Sequence, residues 1–456
     1  MKDRFAEQIT LLASVIKWSF QATIVGALVG VGTTVFLKAL AWSSGYAGSF
    51  SWYYYLLPLT LMASSFFVHN LSPEAAGHGT EKVIEAVHKN MGKIPFKVVP
   101  VKLLATVITL AGGGSAGKEG PCAQIGAGLA STFASLLRLD DIDRRKLVIC
   151  GISAGFATVF GTPIAGALFG VEVLVLGQML YDVLFPSFIA GIVGYHVAVT
   201  LGAQYAYPPV CLPPRLTGWS AMELVLLGIW CGLIALFLIE MMKLAHRCFE
   251  RYFSSRMLKA AVGGALLIIV AQIASPRYLG LGIETLEEGW KGGALPFGAF
   301  FWKSIATSIT LGCGGSGGVV TPILFIGTAA GNLFARLFDP NAIAAFSSIG
   351  MVALLAGAAN TPIAASVMAI EMFGPAMGAD AAVTCMVSFL IVGYRSIYPS
   401  QLLGVRKSES LTVETGLPIG EVGHARVTHR EKSLYGSLLK AVDRFQQRKK
   451  DSDNKE

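Results

Sequence analysis

Residues 112–121 read GGGSAGKEGP, and a related turn, GCGGSGGVVTP, ends at Pro322, 201 residues after Pro121. Glycines at 112, 113, 114, 117 and 120 let backbone pass close to a ligand, and a helix starting near Glu119 would aim its unsatisfied amides at that spot. The second turn places Gly314, Gly315, Gly317 and Gly318 before Val319 and Val320 at another helix start, and GHGTEKVIEAVHK places Gly77, His78 and Gly79 before a short amphipathic helix. Each helix N-terminus carries a partial charge of about +0.5. Two or three of them converging would replace the water shell of an anion without a full basic side chain, and a site built from dipoles releases what it binds, as conduction requires. Glu119 is the odd member: when ionised it would occupy the anion's place itself, and protonation would neutralise it and let it swing away, a gate linked to pH. The plainer reading is a glutamate that satisfies its own helix dipole.

These turns need elements that cross a membrane. With 456 residues, 54% hydrophobic, 14% charged and a mean hydropathy of +0.61, the chain has too little polar surface for a soluble globule. Apolar runs at 11–36, 53–68, 223–239 and 258–274 cross or nearly cross a hydrocarbon core of about 30 Å. Other runs are shorter and end at Gly or Pro, as re-entrant or tilted helices do. FGTPIAGALFGVE recurs as NTPIAASVMAIE, with Pro163 to Pro362 and Glu172 to Glu371 both 199 residues apart. The expected fold is an all-α polytopic membrane protein of two inverted-topology repeats of tilted, broken and re-entrant helices, with a transport site at their interface. The first repeat spans residues 11–203 and the second 219–404, joined by a Pro-rich break at 207–214. A polar tail follows at 405–456, expected to be a short, largely mobile cytoplasmic extension with one amphipathic pattern at 434–445.

The N-terminal apolar stretch is too long for a secretory signal and reads as a retained helix. The net charge of +8 is modest and scattered, much of it in loops and in the tail (Arg444, Arg448, Lys449, Lys450), which suits a cytoplasmic C-terminus in a cell inner membrane rather than nucleic-acid binding. Seven dispersed cysteines (122, 150, 211, 231, 248, 313, 385) read as small buried hydrophobes with no disulfide framework and no metal site. No hydrolytic triad, metal-ligand cluster or cofactor motif is present, so neither enzyme chemistry nor a cofactor is expected.

Four motifs in order, PEAAGHG at 73–79, GKEGP at 117–121, GGVVTP at 317–322 and the paired TPIA segments, resemble the CLC family of chloride channels and chloride/proton antiporters over about residues 15–404. The short tail matches prokaryotic members without CBS domains. The resemblance implies a homodimer in the lipid bilayer, each subunit with its own pathway for chloride or another small anion, and protons as a second cargo if the protein is an exchanger. It implies that Glu119 is the gating glutamate and that Gly77, His78, Gly79, Gly117, Lys118, Gly120, Gly318, Val319 and Val320 surround the anion. Tyr398 of RSIYPSQL, or its neighbour Tyr394, would be the inner-gate tyrosine.

Three positions depart from the family pattern. His78 stands where a chloride-selecting serine is usual; its ring would donate to the anion, or its backbone amide alone matters. Val173 stands where many antiporters carry a second, proton-passing glutamate, while Glu172 reads as structural. Val320 replaces the usual phenylalanine and, with Thr321, is similar to the fluoride-exporting branch, although that branch's extra acidic residue is absent at Val319. The leading expectation is chloride or a similar halide moved by a channel or an anion/proton exchanger, with a fluoride/proton antiporter as the alternative. A P-loop reading of GGGSAGK fails because Glu119 replaces the needed hydroxyl and would repel phosphate.

Overall fold

Glycine and proline punctuate an apolar chain, and the helices fall between them. The computed structural model describes residues 2–205, 207, 208, 219–423 and 425–427. Eight α-helices precede the linker: α1 (Lys2–Gly48), α2 (Leu57–Leu71), α3 (Thr80–Lys89), α4 (Val98–Ala111), α5 (Glu119–Leu136), α6 (Asp141–Phe160), α7 (Pro163–Glu172) and α8 (Tyr181–Thr200). Eight follow it: α9 (Trp219–Tyr252), α10 (Arg256–Ile273), α11 (Ile283–Trp290), α12 (Ala299–Gly312), α13 (Val320–Phe338), α14 (Ile343–Ala359), α15 (Pro362–Phe373) and α16 (Gly378–Val392). Among the described residues seven helices, α1, α8, α9, α10, α13, α14 and α16, are long and apolar enough to span a bilayer. α4, α7 and α15 are apolar but only 14, 10 and 12 residues long, too short to cross alone. α7 and α15 each open on a proline in the first turn, where a missing N–H costs nothing.

The two sets of eight repeat each other's packing: α5 on α6 and α13 on α14, α6 on α8 and α14 on α16, α1 on α8 and α9 on α16. Side chains exchange partners across the repeats in the same way. Ser115 N–H donates to Thr310 Oγ1 (3.0 Å) and Ser316 N–H to Thr109 Oγ1 (3.2 Å); Thr106 and Ser316 hydroxyls meet at 3.1 Å, Ser115 and Thr307 at 3.0 Å. Such reciprocity is the mark of a two-fold axis relating the repeats. Helices α13 and α14 lie inside the bundle, with 89% of their apolar windows covered by protein. α5 crosses α6 at Gly126 and Gly151, and α13 crosses α14 at Gly327, Gly331 and Gly350, where a Cβ would fall 1.9 to 2.6 Å from a carbonyl oxygen of the partner helix. Close helix approach through small residues is the packing mode available where no water drives association.

Three expectations change. The run at 53–68 does not form one helix: Tyr53–Leu56 is a 3₁₀ turn, and Pro58 starts α2 afresh. Cys248 is exposed near the free end of α9, while Cys122, Cys150, Cys231, Cys313 and Cys385 are buried. The tail is folded at its start. Strand β1 (Val175–Leu176) pairs in parallel with β2 (Leu402–Leu403), β3 (Leu411–Thr412) pairs with β4 (Arg426–Val427), and Val413 and Ile419 bury against Leu176 and Leu403. These apolar residues hold the polar segment to the membrane unit. The rest of the tail, including the pattern at 434–445, lies outside the described residues, as do Cys211 and most of the linker.

Replacing Gly331 by Ala should destabilise the detergent-solubilised protein by ~1–3 kcal/mol through overpacking. Gly45→Ala, in α1 with nothing within 4 Å of the new methyl, should be neutral or stabilise by ~0.5–1 kcal/mol. Thermal unfolding of the two variants beside the wild type checks the contrast.

Candidate functional site

The Gly-rich turns before α5 and α13 are joined by their backbones. Gly117 and Gly318 exchange two hydrogen bonds, each amide donating to the other's carbonyl at 2.7 Å, which sets Lys118, the N-cap of α5, beside Val319, the N-cap of α13. α3 enters against them. Its N-cap Gly79 has φ +81°, and a Cβ there would lie 2.3 Å from the Gly120 carbonyl oxygen, while a Cβ on Gly120 would lie 2.0 Å from the His78 oxygen. No side chain fits at either place, so the three helix starts touch through bare backbone.

Glu119 is 1% exposed, with its carboxylate at the start of α13. Its Oε2 accepts from Thr321 N–H at 2.9 Å, and the Thr321 hydroxyl lies 2.5 and 2.6 Å from the two carboxylate oxygens. A carboxylate at a helix N-terminus gains both a charge-assisted hydrogen bond and the helix dipole. Val319 and Val320 are fully buried beside it. Tyr398 is fully buried, and its hydroxyl has no hydrogen-bond partner among the described residues. Tyr394 is engaged elsewhere, its hydroxyl accepting from the Lys407 N–H at 3.0 Å.

Below the helix starts a cavity of about 720 Å³ reaches His78 from the side of α9 and α10, passing Ser396 and Pro399 of the Tyr398 loop. His78 Nδ1 is buried and unpartnered among the described residues. Gly77 stands at the rim, and its carbonyl accepts from Lys102 Nζ at 2.7 Å.

Glu172 and Glu371 form a reciprocal pair. Glu172 accepts from the amides of Ile363 (3.1 Å) and Ala364 (2.8 Å) at the start of α15; Glu371 accepts from Ile164 (3.0 Å) and Ala165 (2.7 Å) at the start of α7. Glu172 is thereby committed to α15. Val173 caps α7 with an apolar side chain, and its carbonyl accepts from Gln401 Nε2 at 3.0 Å.

Sequence reading passed over several of these residues. Lys102 and Lys303 are 201 residues apart, both fully buried, and each donates to two carbonyls of the turn before a short helix: Lys102 to Ala75 and Gly77, Lys303 to Tyr278 and Gly280. Gly280 and Gly282 repeat the positive φ of Gly77 and Gly79. The signal was the pair SPEAAGHG and SPRYLGLG, offset by 203 residues. At the second turn the place of a Gly282 Cβ is 2.6 Å from the Phe325 ring, which covers the start of α11. Phe325 has Gln124 as its counterpart 201 residues earlier, and Gln124 donates instead to the Glu74 carbonyl at 2.9 Å. Thr321 was noted only for its ion preference; its bonds to Glu119 span 202 residues, beyond any local pattern.

A family model described as voltage gated chloride channel matches residues 60–393. The chain is 36% identical, over 89% of its own length and 91% of the relative's, to the chloride/fluoride channel protein of Pseudomonas syringae pv. tomato. Its fold is similar to the crystal structure of a CLC-type fluoride/proton antiporter, with TM-score 0.81 at 26% identity over 85% of this chain and 98% of that one. It is also similar to a slow cyanobacterial Cl⁻/H⁺ antiporter, with TM-score 0.73 at 22% identity over 84% and 96%. With paired Gly turns, a carboxylate seated at a helix start and the family model matched across both repeats, the chain belongs to the voltage-gated chloride channel (CLC) family and is a multi-pass anion transporter.

Proposed function

We propose that this chain exchanges a halide for protons, with Glu119 as the group that alternates between the two cargoes. The observation that carries the reading is the seat of the Glu119 carboxylate on the Thr321 amide and hydroxyl at the start of α13. A free anion needs the same donors, so the two compete. Once protonated, Glu119 loses its charge, yields the donors to the anion and carries a proton with it. Lys118, Gly117, Gly120, Gly318, Val319 and Val320 frame this position, and Tyr398, with its free hydroxyl, donates to the anion from the cavity side as the inner gate. Gly77, His78 and Gly79 present the start of α3, with His78 Nδ1 available to the ion. Two such subunits form a homodimer with one pathway each, in a cell inner membrane with the C-terminus in the cytoplasm.

Fluoride is the second reading, and Thr321 favours it. A small, strongly hydrated anion needs strong donors, and this hydroxyl already lies at 2.5 Å from one Glu119 oxygen. The overall likeness to a fluoride/proton antiporter supports it.

In liposomes holding purified protein, an anion gradient should drive protons uphill, and Glu119→Gln should abolish proton movement, by about 10²-fold or more, while anion flux persists without pH dependence. Anion flux with no proton movement in the wild type makes the protein a channel. His78→Ser should shift the fluoride-to-chloride flux ratio about fivefold, the equivalent of one net hydrogen bond of ~1 kcal/mol; an unchanged ratio leaves His78 a backbone contributor only.

A further inference from the structure

Tyr398 lies on a segment without regular structure, 393–401, between the end of α16 and strand β2. Its hydroxyl has no partner among the described residues, so the ring is placed by whatever holds the backbone around it. α3 supplies one hold: Glu81, which lines the cavity, accepts at Oε1 from the Ser400 amide (3.0 Å) and hydroxyl (2.6 Å). The tail supplies two more, as Gly420 N–H donates to the Pro399 carbonyl and Ile419 N–H to the Gln401 carbonyl, both at 2.8 Å. The fourth hold is a relay of side chains. Gln401 is fully buried, and its Nε2 donates to the carbonyls of Val173 (3.0 Å) and Ala359 (3.2 Å) at the ends of α7 and α14, which ties the segment to both repeats. Gln401 Oε1 accepts from Asn360 Nδ2 at 3.0 Å, and the same Nδ2 donates to the Arg395 carbonyl at 3.0 Å. Asn360 Oδ1 in turn accepts from Lys407 Nζ at 2.7 Å, and Nζ also donates to the Phe389 carbonyl at 2.6 Å while lying 3.6 Å from the centre of the Phe389 ring.

An amide side chain can present either its oxygen or its NH₂ to a neighbour. In this relay each amide has one workable sense, and Lys407 sets it. Its Nζ meets an amide oxygen, a carbonyl and a ring face, all acceptors, so it donates throughout. Lys407 therefore takes the Asn360 oxygen and leaves Nδ2 for Arg395 and Gln401. Gln401 must then turn its oxygen to Asn360 and its NH₂ to the two helix ends. We propose that Lys407 is a positioning residue for Tyr398: by fixing the sense of the Asn360 and Gln401 amides it holds the Tyr398 segment against α7 and α14 and keeps the free hydroxyl in place for the anion. The proposal rests on the inner-gate reading of Tyr398 above. An apolar side chain at 407 would fill the space yet leave the Asn360 oxygen unpaired and both amides free to turn, so the relay would no longer hold the segment.

Chloride and fluoride fluxes are each measured against anion concentration on the full chain in liposomes, for wild type, Lys407→Met, Lys407→Arg, Asn360→Gly, Tyr398→Ala and the double variant Lys407→Met with Tyr398→Ala. Asn360→Gly suits the φ of +56° at this position and removes the middle of the relay, so it carries the expectation if Lys407→Met is not recovered folded. For the anion with the larger flux, Tyr398→Ala should raise KM about fivefold, as loss of one net hydrogen bond does. Lys407→Met and Asn360→Gly should raise it by a lesser factor with maximal flux little changed, and Lys407→Arg, which still donates, should keep the wild-type value. The double variant should match Tyr398→Ala alone, because residues acting through one another do not add. A wild-type KM in both Lys407→Met and Asn360→Gly overturns the positioning role and leaves the inner gate standing. So does a KM effect that adds in full to that of Tyr398→Ala, or a loss of maximal flux at unchanged KM, which marks contacts that serve folding alone. A Tyr398→Ala protein with wild-type KM overturns the inner-gate reading and the proposal together.

Discussion

A helix that stops inside a membrane leaves first-turn amides with no water to satisfy them, and most of this molecule answers that constraint. Three glutamates do the answering. Glu371 covers the start of α7, Glu172 the start of α15, and Glu119 the start of α13. Carbonyls freed by the glycine turns are met from the other side by buried lysines, Lys102 before α3 and Lys303 before α11. The hydroxyls of Thr109 and Thr310 accept from the turn amides of Ser316 and Ser115. Each cap comes from a distant segment, so the broken helices are stable only in the assembled fold.

The three caps differ in the number and sharing of their donors. Glu172 and Glu371 each hold two adjacent amides in a closed, reciprocal pair. Glu119 holds one amide and one hydroxyl of the same residue, at a point where bare backbone from three helix starts meets. A ligand with the right charge can take its donors without dismantling a helix crossing, whereas displacing Glu172 would uncap α15 outright.

Symmetry builds the scaffold, and its breaking supplies the chemistry. Gly117 and Gly318 are equivalent and bond to each other, yet the next residues but one are Glu119 in the first repeat and Val320 in the second. The carboxylate therefore exists once per chain. His78 has Leu281 as its counterpart, and Phe325, where the first repeat has Gln124, covers the second turn. A symmetric pore would offer equal sites on both faces; this one offers a cavity on the His78 side and a packed aromatic on the other.

Much was legible in the chain itself. Glycine has no substitute where backbones meet at 2 Å, proline marks a helix start, and both survive as spacing, so GKEGP, GGVVTP and the paired TPIA segments disclosed the duplication, the broken helices and Glu119. Composition disclosed the membrane. Only the tertiary structure decided which hydroxyls and amides hold Glu119, that Tyr398 rather than Tyr394 has a free hydroxyl, that Glu172 is committed to α15, and that Glu81 faces the cavity beside Ser400. These contacts join residues some 190 to 320 positions apart across a two-fold axis, and a hydrogen bond over that separation leaves no local pattern: Thr321 and Ser400 look like ordinary residues until the repeats are folded against each other.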